Sequence, residues 1–213
     1  MSSPSQLHHQ ICQGAEILGF SLSEQQAERL TQYVALLAKW NKTYNLTAVR
    51  NPVEMVSRHI LDSLSVIPHV KGDNILDVGS GPGLPGIPLA IMYPERQVTT
   101  LDSNGKKTRF MTQAKLELGL NNLSVVNARV EAYTPERLFD EITTRAFSSL
   151  LAMVQGTKHL LRQSGVYLAM KGLYPEEELT ELTANTATEL VESISLRIPG
   201  SEGERHIVIL RNK

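Results

Sequence analysis

Apolar side chains in the first third of the chain recur at the spacing of an amphipathic helix. Those on one face, three or four residues apart, are Ala27, Leu30, Val34, Leu37 and Trp40. Ser23 and Gln26 have the spacing of a capping box, which predicts the start of this helix. We expect it to fray over 41–45, and Pro52 suits the first turn of a shorter helix. Residues 5–70 are therefore predicted to be helical.

From residue 72 the pattern changes to short apolar runs that alternate with helical segments. The predicted strands are 74–78, 98–101, 123–126, 141–144 and 166–170. Helices are predicted after the first two strands and near 149–161, and Gly119 has the place of a helix C-terminal glycine. Such alternation is typical of a parallel, doubly wound α/β sheet. Two further strands, 193–198 and 206–210, are close enough to form an antiparallel pair at the sheet edge.

Composition narrows the class of protein. The chain has 213 residues and a formal net charge of −1. Its 20% charged and 41% hydrophobic residues, with 14 Gly and 10 Pro, are near the globular average, which argues against disorder, a collagen-like repeat or a long coiled coil. We expect an N-terminal helical extension, 1–70, and one compact domain, 71–213. Near-neutrality also weighs against a binder whose whole surface is basic, so a polyanion would have to meet a local patch.

Cysteines, targeting segments, apolar runs and histidine spacing bear on location and metal binding. Cys12 is the single cysteine, which excludes an internal disulfide and a cysteine metal cluster. The N-terminal residues lack the pattern of a signal peptide, and no run of 18 apolar residues occurs. The histidines show no metal-ligand spacing. We therefore expect a cytoplasmic protein without a metal site.

A glycine-rich loop follows the first predicted strand. It runs from Asp77 to Gly86 and contains four glycines, which allow positive φ and close approach of a ligand to the backbone. Loops at the carboxyl ends of such strands are where ligands bind in this class of sheet. The loop therefore predicts a cofactor site.

Two cofactors fit that loop, NAD and S-adenosylmethionine. The spacing of Gly81, Gly83 and Gly86 matches the dinucleotide fingerprint. Asp77, however, would repel a pyrophosphate and attract the amino and sulfonium groups of S-adenosylmethionine, and the two loop prolines remove N–H donors. Asp102, at the end of the second strand, could accept both ribose hydroxyls of either cofactor. These features favour the methyl donor and leave an NAD-dependent oxidoreductase as the alternative.

The next two strands also end in polar residues. Val130 and Glu131 follow the third strand, and Arg145 follows the fourth. Since the carboxyl ends of parallel strands meet at one edge, these residues are expected to line one crevice with the glycine loop.

The sequence resembles the RsmG (GidB) family of bacterial methyltransferases that act on N7 of a guanine in 16S ribosomal RNA. The resemblance covers about residues 22–172 and the last strand. Its motifs are 40–47, 58–63, 77–86, 101–103, 145–147 and 203–206. It implies a class I S-adenosylmethionine-dependent methyltransferase, a Rossmann-like fold whose product is S-adenosylhomocysteine.

The resemblance also implies site residues. Gly79 and Leu84 would line the donor, Val130 and Glu131 would flank its adenosine, and Arg145 is a further donor-site position. With the loop and strand-end residues, the predicted cofactor set is Asp77, Gly79, Gly81, Leu84, Asp102, Val130, Glu131 and Arg145. Guanine N7 has a lone pair and no proton, so no general base is assigned.

RNA contacts are predicted where cations follow strands. Lys106, Lys107 and Arg109 lie at the start of the helix after Asp102, where they oppose the helix dipole, and Lys171 ends another strand. A second basic group lies in the helical extension: Lys39, Lys42, Arg50, Arg58 and His59. The expected partner is 16S rRNA or the small ribosomal subunit, with no DNA, no membrane and a monomeric enzyme. A non-enzymatic nucleotide-binding module is the remaining alternative.

Overall fold

The computed structural model describes residues 3–145, 147 and 149–213. Ala146, which belongs to the motif at 145–147, lies outside the described residues. The helices are α1 (Pro4–Ile17), α2 (Glu24–Tyr44), α3 (Pro52–Met55), α4 (Asp62–Leu64), α5 (Gly86–Met92), α6 (Gly105–Leu118), α7 (Leu150–Thr157) and α8 (Glu176–Asn185). The strands are β1 (Asn74–Val78), β2 (Gln97–Asp102), β3 (Leu123–Asn127), β4 (Phe139–Thr144), β5 (Leu161–Lys171), β6 (Thr188–Leu196) and β7 (Arg205–Asn212).

The capping box predicted for α2 is confirmed. Ser23 Oγ accepts from Gln26 N, and the Gln26 side chain accepts from Ser23 N at 2.9 Å. The expected fraying over 41–45 is wrong. Asn45 ends α2 in the left-handed conformation, and the buried Asn41 side chain bonds Val49 O and Thr47 N at 3.0 and 2.9 Å. These bonds fix the turn after the helix.

The chain between α3 and α4 forms a π-helical turn. Pro52 begins α3, as predicted, and the turn spans Val56–Leu61 before α4 begins. π-Helical turns occur frequently at functional sites. This one carries Arg58 and His59 from the predicted basic group.

One seven-stranded sheet has the order β3-β2-β1-β4-β5-β7-β6. The first five strands in the chain pair in parallel, and β7 pairs antiparallel with both β5 and β6. The predicted α/β sheet with an antiparallel pair at its edge is confirmed. The bounds differ: α7 ends at Thr157, and β6 begins at Thr188 because its first residues extend the ladder with β7.

Hydrophobic side chains cover both faces of the sheet. On one face, residues of α1 and α2 such as Ile11, Leu30 and Val34 share a core with α5, α6 and the sheet. On the other, α7 and α8 pack through Leu150, Met153 and other apolar residues. The parallel strands are therefore buried on both sides, as such sheets require. The division of the chain at residue 70 stays a prediction.

Among the described residues, no helix is both long enough and apolar enough to cross a bilayer.

Candidate active site

The glycine loop connects β1 to α5 at the carboxyl edge of the sheet. Gly79 has a φ of +69° and donates its N–H to Leu101 O at 2.8 Å, which ties the loop to β2. At Gly86 a Cβ would lie 2.4 Å from Thr100 Cγ2. Only glycine fits there, because β2 passes directly beneath the start of α5. The loop is thus held against the edge where a ligand would bind.

Asp77 lies beneath this loop, fully buried. Its Oδ2 accepts the Gly86 N–H at 2.9 Å, and its Oδ1 has no hydrogen-bond partner among the described residues. Burial raises the pKa of this carboxyl to about 7, against a smaller lowering by the Gly86 hydrogen bond. Asp77 does not line the neighbouring cavities among the described residues, so its visible contact is with the loop. Its contact with the donor stays a prediction.

Four of the predicted cofactor residues line one cavity. Its volume is about 310 Å³, and its walls include Gly79, Asp102, Val130 and Glu131. The sheet order places β1, β2 and β3 side by side, which is why residues so far apart in sequence meet here. Val130 and Glu131 therefore share a cavity with the glycine loop, as expected, whereas Arg145 does not line it.

Asp102 forms the polar centre of that cavity. Its Oδ2 accepts from Gly81 N and its Oδ1 from Asn104 N, each at 2.8 Å. The carboxylate therefore joins the glycine loop to the start of α6. Each oxygen keeps a further lone pair, so Asp102 can also accept ligand hydroxyls.

The three cations of α6 separate into two kinds. Lys107 Nζ lies 3.9 Å from Asp102 Oδ2, and Lys107 lines the cofactor cavity. Lys106 and Arg109 are exposed. Lys107 is therefore placed beside the predicted cofactor rather than on the outer surface with its two neighbours.

Three of the four remaining predicted cofactor residues line a different cavity. Gly81, Leu84 and Arg145 line a second cavity of about 250 Å³, and Gly79 and Lys107 line both cavities. The glycine loop is the shared wall.

Arg145 is fixed by a carboxylate that sequence reasoning did not assign to the site. Its Nη1 donates to Asp62 Oδ2 at 3.0 Å and to Arg58 O at 3.4 Å. Asp62 Oδ1 accepts from Arg205 Nε at 3.1 Å. Both missed residues, Asp62 and Arg205, belong to the family motifs 58–63 and 203–206, so those motifs were the available signal.

His59 supports the backbone that holds Arg145. Its Nδ1 is 2.9 Å from Arg58 O, so Nδ1 carries the proton, and Nε2 accepts from Thr47 Oγ1 at 2.8 Å. Burial, with the nearby Arg145 charge, lowers the pKa of His59 to about 4. The imidazole is therefore neutral at pH 7, and its two hydrogen bonds connect Thr47 to the Arg58 carbonyl.

Lys171, predicted to contact RNA, pairs with an acid. Its Nζ lies 2.7 Å from Glu178 Oε2, and the same oxygen accepts from Leu150 N at 2.7 Å. Glu178 thus joins the ends of β5, α7 and α8. An RNA contact by Lys171 stays a prediction.

The family and the most similar sequences agree with this geometry. Residues 26–208 match the GidB family, described as rRNA small subunit methyltransferase G. A ribosomal RNA small subunit methyltransferase G of Ectopseudomonas mendocina is 58% identical over 212 residues, 98% of each chain. One of Pseudomonas aeruginosa is 54% identical over 213 residues, 99% of each chain.

Solved structures show the same fold at low sequence identity. The glycopeptide N-methyltransferase MtfA, complexed with (S)-adenosyl-L-homocysteine, aligns with a TM-score of 0.63 at 8% identity. The alignment covers 73% of this chain and 87% of that one. The predicted class I methyltransferase fold is confirmed. Because the family match spans most of the chain and the relatives cover nearly all of it, this chain belongs to the GidB family, the rRNA small subunit methyltransferase G family.

Proposed function

We propose that this protein transfers a methyl group from S-adenosylmethionine to N7 of a specific guanine in 16S rRNA of the small ribosomal subunit. The observation that carries the proposal is the coincidence of a family match over residues 26–208 with a cavity lined by the predicted donor residues. We further propose a cytoplasmic, monomeric enzyme that acts on neither DNA nor membranes.

The residues around the cavity suit S-adenosylmethionine. Asp102 would accept the ribose hydroxyls, Val130 and Glu131 would flank the adenosine, and the loop backbone at Gly79 would meet the rest of the donor. The Asp77 carboxyl, buried beneath the loop with a pKa raised to about 7, would attract a cation near the loop only in its ionised form. Bound S-adenosylmethionine would supply an electrophilic methyl group on its sulfonium sulfur.

The chain's own contribution to the transfer is alignment of the reacting groups. Guanine N7 attacks with its own lone pair, so no side chain has to remove a proton first. Arg145, held by Asp62 and the Arg58 carbonyl, provides a fixed guanidinium beside the glycine loop that can orient the base or the donor. Such preorganisation lowers the barrier by fixing the reacting atoms before the reaction.

Calorimetry separates this function from an NAD-dependent oxidoreductase. S-Adenosylmethionine and its product S-adenosylhomocysteine are expected to bind at micromolar concentration, and NAD is not. Binding of NAD alone would favour the alternative. Pro82 and Pro85 support the methyl donor, because they offer no N–H to a pyrophosphate.

Methyl transfer tests the RNA substrate. The protein is incubated with methyl-labelled donor and, separately, naked 16S rRNA, a partially assembled small subunit and the complete small subunit. Label in 16S rRNA from at least one of these is the expected result. Absence of label from all three, with the donor bound, would leave a non-enzymatic nucleotide-binding module as the better description.

A further inference from the structure

A third cavity lies beside the candidate active site. Its volume is about 360 Å³, and its charged walls are Arg58, Asp62, Arg145, Lys171 and Arg205. Arg145 also lines the second cavity, which the glycine loop borders. A group bound here would therefore be a direct neighbour of a nucleotide at the reaction centre.

Positive charge exceeds negative charge around this cavity. Arg145 and Arg205 share the single carboxylate of Asp62, and Lys171 is neutralised by Glu178 from outside the cavity. Arg58 is exposed, and its guanidinium has no ion pair among the described residues. Four cations thus face two carboxylates, and one of the cations is free to bind an anion.

His59 does not alter this balance. It also lines the cavity, but both ring nitrogens are engaged and the imidazole is neutral. Val49 and Met170 provide apolar wall. The net attraction for an anion therefore comes from the arginines.

An aromatic pair lies close to the same cavity. Tyr174 is 46% exposed, and its ring meets the His206 ring edge-on with centroids 5.9 Å apart. His206 pairs in the sheet with Lys171, which lines the cavity, and follows Arg205 directly. Exposed aromatic rings beside cations are the usual means of holding unstacked RNA bases.

We propose that this cavity binds a backbone phosphate of the single-stranded RNA next to the target guanine, with Arg58 as its main ligand. The arginine fork matches phosphate oxygens in pairs, and Asp62 holds Arg145 and Arg205, which line the same cavity, in place. The base attached to that backbone lies toward Tyr174. This inference rests on the proposed rRNA substrate and locates where that substrate is held.

The test compares Arg58→Gln with Arg137→Gln. Arg137 is exposed and precedes the amino end of β4, so it lies away from the cavities. Arg137→Gln therefore removes the same charge as Arg58→Gln at a position outside the proposed site. Binding of naked 16S rRNA is measured across a salt series, separately from methyl transfer. A plot of log affinity against log salt concentration has a negative slope. Arg58→Gln should make this slope shallower by about 0.7–0.9, as expected for one lost phosphate contact.

Kinetics and rescue complete the test. Arg58→Gln should also raise KM for rRNA by about tenfold, equivalent to about 1.4 kcal/mol of binding, while the donor Kd stays within twofold. Arg58→Lys, which keeps the charge, should restore the salt slope. Thermal unfolding of each variant checks that the fold is intact.

The outcomes separate the two proposals. If Arg58→Gln and Arg137→Gln have the same salt slope, the phosphate site is wrong, even when the wild-type protein methylates rRNA. If the wild-type protein binds rRNA but transfers no methyl group, the proposed function fails, and the salt slopes still decide whether Arg58 contacts phosphate.

Discussion

At the scale of single residues, the buried ionisable groups make the sharpest predictions. Asp77 is fully buried with a pKa raised to about 7, and His59 is buried with a pKa lowered to about 4. Both shifts favour the neutral form of the side chain. Their effects on stability run in opposite directions with pH, so each has to be isolated by substitution.

The raised pKa of Asp77 should lower the free energy of unfolding as pH rises. Between about pH 4 and pH 7 the folded protein keeps a proton on Asp77 that the unfolded chain has lost, so the free energy of unfolding falls through this window. Relative to Asp77→Asn, which cannot titrate, wild-type stability should drop by about 2–3 kcal/mol between pH 5 and pH 8. Denaturant unfolding of both proteins at each pH measures this difference, in which the His59 contribution cancels. A constant difference would contradict the raised pKa.

Arg145 should matter for turnover more than for folding. Arg145→Ala removes the fixed guanidinium beside the loop but leaves Asp62 paired with Arg205, so no buried carboxylate is orphaned. We expect methyl transfer to fall at least about tenfold, equivalent to about 1.4 kcal/mol of barrier. The exposed Arg137, which precedes the amino end of β4, offers a control, Arg137→Ala, for which wild-type turnover is expected. Turnover unchanged in Arg145→Ala would remove Arg145 from the site.

At the scale of elements, α2 contacts the glycine loop through a hydrogen bond. The buried Tyr33 donates its hydroxyl to Pro82 O at 2.9 Å, and its ring lies beside Phe110 of α6. The N-terminal helices therefore support the donor site as well as sharing the hydrophobic core. This contact joins the predicted helical extension to the loop.

Tyr33→Phe tests that support. The substitution keeps the ring but leaves the Pro82 carbonyl without its partner, which should cost about 1–3 kcal/mol of stability and weaken donor binding. Tyr44→Phe is the matched control, because Tyr44 is 42% exposed and retains its ring contact with Trp40. Thermal unfolding and donor calorimetry are the measurements. Equal behaviour of the two variants would mean that the hydroxyl of Tyr33 does not hold the loop.

Elements whose signal is local were predictable from the sequence. The Ser23 capping box and the glycine loop depend on residues a few positions apart, so their patterns are complete in the sequence. The start of β6 was missed because a register shift between Leu190 and Glu192 interrupts the alternation. The pairing of Asp62 with Arg205 joins residues 143 positions apart, and only the folded sheet brings them together.

At the scale of the whole molecule, a net charge of −1 requires RNA to be met by local cations. Among the described residues, two such places on the carboxyl edge are the cavity lined by Arg58 and the exposed pair Lys106 and Arg109 on α6. Lys107, between that pair, is turned to Asp102 instead.

Loss of Lys106 and Arg109 should therefore weaken RNA binding without affecting the donor. The double variant Lys106→Gln with Arg109→Gln should make the dependence of log rRNA affinity on log salt concentration shallower by about 1.5, while donor affinity is unchanged. Lys158→Gln with Arg137→Gln removes the same charge at exposed positions before β5 and β4, and should leave the slope as in the wild type. If the two double variants behave alike, α6 is not an RNA-binding surface.

The chemical identity of the product tests the central claim most directly. After reaction of the small-subunit RNA with methyl-labelled donor, the RNA is digested to nucleosides and the labelled nucleoside is identified by mass spectrometry. The proposed function predicts 7-methylguanosine from a single position in 16S rRNA. Label in any other nucleoside, or in RNA outside the small subunit, would contradict it.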